Sequence, residues 1–169
     1  MAGIIYDLVN VLEQQKECYE GLLTLATYKA DAVTRKELEL LTQIVQREEE
    51  FIGRVNLLDK KRETIIKDIA LVTSMDYKTL TVTKLVEKLG DKIDVTEQLL
   101  ELRKAILETM EQLKKQNELN STLLKQSLEF VDFTVNALQS TQVIAPNANY
   151  GRPGEEKSLE TKSFFDTKQ

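Results

Sequence analysis

Histidine and tryptophan are absent from this chain, and cysteine occurs once, at Cys18. Without histidine, the usual acid–base group of neutral-pH catalysis is missing. Ser–His nucleophiles and nearly all zinc or di-iron designs go with it. One cysteine permits no intrachain disulfide, and Cys18 sits on an apolar stripe where it reads as a small core residue. Proline is limited to Pro146 and Pro153, so residues 1–142 lack the strongest helix breaker. Gly3, Gly21, Gly53 and Gly90 are isolated, and no glycine-rich phosphate loop is present. Positive charge is also short. Lys and Arg number 23 against 28 Asp and Glu, a net charge of −5. Nucleic acid binding calls for a basic field, which this balance does not provide. No apolar run has the length of a membrane span. The first residues, with Asp7 and no basic cluster, do not read as a secretory signal. These absences point to a cytoplasmic protein that binds rather than catalyses and uses no cofactor or metal.

What is abundant is helix-forming residue with heptad order. A first long helix is expected from about Ile4 to Ala32, where Ile4, Val11, Cys18, Leu25 and Ala32 make one column. Flanking columns (Ile5, Leu12, Tyr19, Ala26, Val33 and Leu8, Gln15, Leu22, Lys29) widen the stripe enough to face two neighbours. Thr34 and Glu37 have the spacing of a capping box, which predicts a second helix from about Arg35 to Ser74. Its central column is Ile44, Phe51, Leu58, Ile65 and Val72, broadened by Leu38, Leu41, Val45, Ile52, Val55, Ile66 and Ile69. So short a link implies an antiparallel hairpin. The segment 75–91 breaks the pattern; Leu80 to Leu89 is expected as a short helix stopped by Gly90, covering one end. Asp94 and Glu97 open a last long helix from about Val95 to Gln142. Glutamates such as Glu48, Glu49 and Glu50 splay around a helix, so they read as solvated faces and not as converging catalytic groups.

The fold class expected is all-α: an antiparallel hairpin plus a third long helix, coiled-coil-like, with a short connecting helix and an irregular tail. Residues 1–142 are expected as the bundle domain and 143–169 as a flexible tail. At about 1.5 Å per residue the three long helices are roughly 45, 60 and 70 Å long. In an up-down-up arrangement the last helix therefore finishes at or beyond the first turn of the hairpin. A polar interruption, Gln116 to Thr122, predicts thinner or hydrogen-bonded packing partway along it. After the interruption the apolar residues leave their stripe. Leu123, Leu124, Leu128, Phe130, Val131, Phe133, Val135, Ala137 and Leu138 cover most of the circumference. Such excess predicts a surface for a helical partner, with Leu124, Leu128, Phe130, Val131, Phe133, Val135 and Leu138 as its contact residues. Tyr150, Phe164 and Phe165 stand alone in the polar tail and are candidates for docking on that surface when no partner is present. The alternative reading is a self-associating coiled coil in which the last helix pairs with its own copy.

Across the first two helices, Leu8, Leu12, Gln15, Tyr19, Leu22, Leu23 and Lys29, then Leu38, Ile44, Glu48, Phe51, Ile52 and Arg62, resemble the FlgN family of flagellar export chaperones. The resemblance resumes in Asn117, Asn120, Leu123, Leu124, Ser127, Leu128, Glu129 and Phe130. It continues through Leu138 and Tyr150-Gly151 to Phe165-Asp166-Thr167-Lys168. The connector 75–91 departs most from it. This resemblance implies a cytoplasmic chaperone for type III flagellar secretion, working without ATP. It implies hook-associated (hook–filament junction) proteins as clients, held by their aggregation-prone terminal helices and delivered to the export gate. It also places client binding in the C-terminal helical region, here residues 123–138.

Overall fold

The computed structural model describes residues 2–90 and 93–144. Within them the apolar columns become α1 (Ala2–Arg35), α2 (Leu38–Thr73), α3 (Val82–Leu89) and α4 (Ile93–Ile144), with no strand among the described residues. The compact unit that holds the bundle is Met1–Phe133, and a second unit begins at Thr134. Most of the tail expected at 143–169 lies outside the described residues.

Two left-handed residues make the reversals. Lys36 has φ 59°, the Lys36 N–H donates to the Val33 carbonyl at 3.1 Å, and the Glu37 N–H donates to Ala32 at 2.9 Å. That is a Schellman ending, which satisfies carbonyls otherwise left bare at the end of α1. It also corrects the expected capping box. The Thr34 hydroxyl donates backwards to the Ala30 carbonyl, so Thr34 belongs to α1, and Glu37 is the N-cap of α2 without a side-chain bond. Ser74, at φ 55°, closes α2 in the same way through bonds to Leu71 and Ala70.

Cross-helix bonds fix the directions. Gln15 meets Asp59, and Lys29 pairs with Glu48, so α1 and α2 run antiparallel. Gln98 bonds to Glu13 and Asn120 to Ala26, so α4 runs parallel to α1. The order is up-down-up. Between α2 and α4, the expected short helix forms: Thr81 caps it by accepting from the Lys84 N–H at 3.2 Å, and Gly90 at φ 61° ends it. Lys88 donates to the Thr73 carbonyl at 2.7 Å, setting a cation on the negative end of α2.

The core is one-sided along the bundle. Ile5, Leu8, Leu12, Ile65, Ile69, Leu85 and Leu99 pack at the end that α3 covers. Each such side chain contributes about 1.5–3 kcal/mol by leaving water. Toward the α1–α2 turn, the buried apolar positions become small or isolated: Ala26, Ala32, Val33 and Ile44. Several residues expected in the α2 stripe are not buried. Leu38, Val45, Ile52 and Val72 are all exposed. Leu38, Val45 and Ile52 lie one position, about 100°, from the column that faces α1, and that rotation turns them outward.

Gly21 leaves room on α1 for the ring of Phe51 from α2. A Cβ there would sit 2.6 Å from Phe51 Cζ, whereas a Cβ at Gly53 meets nothing within 4 Å. Gly21→Val is therefore expected to cost about 1–3 kcal/mol by overpacking. Gly53→Ala should stabilise by about 1 kcal/mol through helix propensity alone. Urea titrations of the two variants check both signs.

Candidate client-binding surface

At its midpoint α4 is pinned to α1 by a polar residue. Asn120 is 3% exposed; its amide nitrogen donates to the Ala26 carbonyl at 2.7 Å, and its oxygen accepts from Gln116 at 3.2 Å. The polar interruption read from the sequence is thus hydrogen-bonded, and it is thinly packed as well. A cleft of about 450 Å³ opens there, lined by Leu22 and Lys29 of α1, Glu48 and Ile52 of α2, and Leu113, Asn117, Asn120, Ser121 and Leu124 of α4. Lys29 and Glu48 form an ion pair at its edge with both side chains mostly covered. Seven of the nine lining residues (all but Leu113 and Ser121) are among those that carry the family resemblance.

One face further along, α4 reaches the hairpin turn. The Lys36 ammonium lies 4.4 Å from the centroid of the Phe130 ring. Such a contact on an exposed face contributes about 0.5–1 kcal/mol. Around that contact the large apolar side chains of α4 are exposed. Leu123 and Leu124 are half-buried, but Leu128 is 64% exposed, Phe133 71%, and Phe130 and Val131 just over half. Leu128 and Val131 share one side of the helix and Phe130 and Phe133 another, each pair three residues apart. In the second unit, Val135 and Leu138 are also exposed. The structure therefore leaves the expected contact residues on the surface, except Leu124, which faces the cleft. Tyr150, Phe164 and Phe165, expected to dock from the tail, lie outside the described residues.

Sequence reading missed two parts of this region. Lys36 gave no signal beyond its place in a turn. The row Leu38, Val45 and Ile52 is as apolar as the core yet exposed; its seven-residue spacing, displaced from the Ile44–Phe51–Leu58 column, is the clue the sequence holds. Nor does the single thiol supply chemistry. Cys18 packs in the core, and burial pushes its pKa up, outweighing the pull of Arg54. Reaction with a disulfide reagent at pH 8 is expected to be at least about tenfold slower in the folded protein than in urea. Among the described residues, no cluster of three or more His, Cys, Asp or Glu side chains is placed to hold a metal ion. No described helix is long and apolar enough to cross a membrane.

A family model described as FlgN protein matches residues 1–158. No curated protein and no solved structure matches the chain.

Proposed function

The chain belongs to the FlgN family of flagellar export chaperones, and from that premise we propose that it binds the terminal helices of hook-associated proteins. It keeps these hook–filament junction components from aggregating in the cytoplasm and delivers them to the export gate. It acts by binding and not by catalysis. The observation that carries this reading is the exposure of Leu128, Phe130, Val131 and Phe133 in one short stretch of α4. A contiguous patch of large apolar side chains is uncommon on a protein with no partner. Leu124 adds an anchor at the cleft, and Val135 and Leu138 extend the contact set. An incoming amphipathic helix satisfies its own backbone and offers an apolar stripe, which suits a surface built only of helix side chains.

The direct test is co-expression with hook-associated proteins, followed by purification through a tag on this chain. Capture of a hook-associated protein, lost when its terminal helices are deleted, is the expected outcome. Capture that survives the deletion, or no capture at all, rejects the proposal. Sedimentation of the purified chain across dilution tests the other reading, since a coiled-coil module would stay self-associated.

A further inference from the structure

We propose that the client seat is not confined to the end of α4 but continues into a groove between α2 and α4. The polar cleft at the root of this groove sets the register of the client helix. This inference rests on the client-binding reading above and extends it to a second wall and a selection rule. Two exposed stripes are rooted in the same cleft. On α2, Ile52 lines the cleft, and Val45 and Leu38 follow it at seven-residue steps toward the α1–α2 turn, with Leu38 75% exposed. On α4, Leu113, Asn117 and Leu124 line the cleft, and Leu128 and Val131 follow on the same side at steps of four and three. Leu22 and Lys29 of α1 line the same cleft between them. Three helices with two unburied stripes and a shared floor lack a fourth helix to complete the layer.

The chemistry of the cleft selects the occupant. Asn117 and Ser121 line the cleft beside the mostly covered Lys29–Glu48 pair. A client helix that is apolar throughout would strip water from these groups and return no hydrogen bond. A client with a charged residue there would unbalance an ion pair that is already neutral as a unit. The fitting partner is an amphipathic helix whose apolar stripe is interrupted once by an uncharged amide or hydroxyl. That residue sits opposite Asn117 and Ser121, and the apolar residues that follow it toward the α1–α2 turn reach Ile52 and Val45 on one wall and Leu124 and Leu128 on the other.

The probes are two labelled synthetic amphipathic peptides of about 20 residues, roughly 30 Å of helix. They are identical except that one stripe position, near one end of the peptide, is Asn in one and Leu in the other. Binding is read by fluorescence anisotropy on the full-length chain and on Ile52→Asp, Asn117→Leu and Phe133→Asp. The expected results are about a tenfold preference for the Asn peptide, reversed in Asn117→Leu, and about tenfold or greater weakening of both peptides by Ile52→Asp. Ile52 is half exposed, so the variant should keep the helical circular dichroism of the parent. Affinities within twofold of the parent in Ile52→Asp, or the same preference in Asn117→Leu, overturn the groove. If Phe133→Asp still weakens binding in that case, the client seat at the end of α4 stands without it. If the Asn117 and Ile52 effects appear but no hook-associated segment is captured, the groove stands and the client class fails. A dimer of the chain dissociated by Ile52→Asp also overturns the proposal, because a second copy then fills the groove.

Discussion

Phe133→Asp is expected to lower affinity for a client terminal helix by at least about a hundredfold while leaving the helical fold intact. The fold should tolerate the change because the ring is 71% exposed and has little packing to lose. Surface substitutions of this kind usually stay within about 0.5 kcal/mol. The client loses more. An aromatic anchor buried in an interface contributes about 2 kcal/mol or more, and the aspartate adds a carboxylate that must be desolvated or left against apolar surface. At about 1.4 kcal/mol per decade, the two effects together exceed two decades. Phe130→Asp should act in the same direction with a milder structural consequence. Lys36, which covers the ring at 4.4 Å, is within reach of the new carboxylate as a partner. Phe133→Leu keeps an apolar contact and should lose only a few-fold. Calorimetric titration with a hook-associated terminal segment gives the affinities, and circular dichroism reports the fold. Unchanged affinity in Phe133→Asp would remove the end of α4 from the client seat.

Much of this fold was legible because heptad columns report directly on burial in a bundle. The column Val11 and Cys18 is buried in α1, and Ile44, Leu58 and Ile65 are buried in α2, as the spacing required. Leu85 also fits, as the one fully buried side chain of an eight-residue helix that could not stand alone. The stop at Gly90 was visible because a glycine ends the periodic run, and its positive φ supplies the reason. The α1–α2 link was harder. Thr34 and Glu37 have capping-box spacing, but the turn is made by a left-handed Lys36, and no sequence rule favours lysine there. The outward face of α2 is ambiguous in the sequence for a different reason. Leu38, Val45 and Ile52 are as apolar as core residues, and only the rotation of α2 about its axis decides which column α1 receives. Rotation depends on partner helices, which a single helix's periodicity does not contain. The candidate surface at Leu128–Phe133 was legible as an excess, since more circumference was apolar than one bundle face uses.

The uneven core accounts for where the proposed client surface lies. Large aliphatic side chains fill the end covered by α3, and the opposite end relies on alanines and hydrogen-bonded polar groups. Gln15, fully buried between α1 and α2, donates to Asp59 at 2.6 Å, and Arg62 reaches both of them. This network ties α1 to α2 within the apolar core, and the Lys29–Glu48 pair does so nearer the turn, where apolar packing thins. A chaperone of this build keeps its stability at one end and leaves apolar surface available at the other.

Asn120→Asp should be the most damaging near-isosteric change in the chain, costing about 3–5 kcal/mol at pH 7. The asparagine works as a donor: its nitrogen is 2.7 Å from the Ala26 carbonyl oxygen, with 3% of the residue exposed. An ionised aspartate places a second acceptor against that oxygen and buries an unpaired charge beside it. The protonated acid, by contrast, can donate to Ala26 much as the amide does. Both effects disfavour ionisation in the folded state, so the folded pKa of the new acid must rise above its unfolded value of about 3.9. The folded protein then holds a proton that the unfolded chain releases, and stability falls as pH rises through that window. Below about pH 3.9 the variant should approach the wild type, and above the folded pKa its full deficit should appear. Wild-type stability also changes with pH because the chain carries 28 carboxylate residues, so the informative quantity is the difference between the two proteins at each pH. Asn120→Leu separates charge from shape. It removes the bond without adding a charge, leaves Ala26 with its own helical partner, and should cost only about 1–2 kcal/mol at every pH. Urea denaturation of the three proteins from about pH 3 to 8 makes the comparison. A deficit in Asn120→Asp that is constant with pH, or below about 1 kcal/mol at pH 7, would show that Asn120 does not pin α4 to α1.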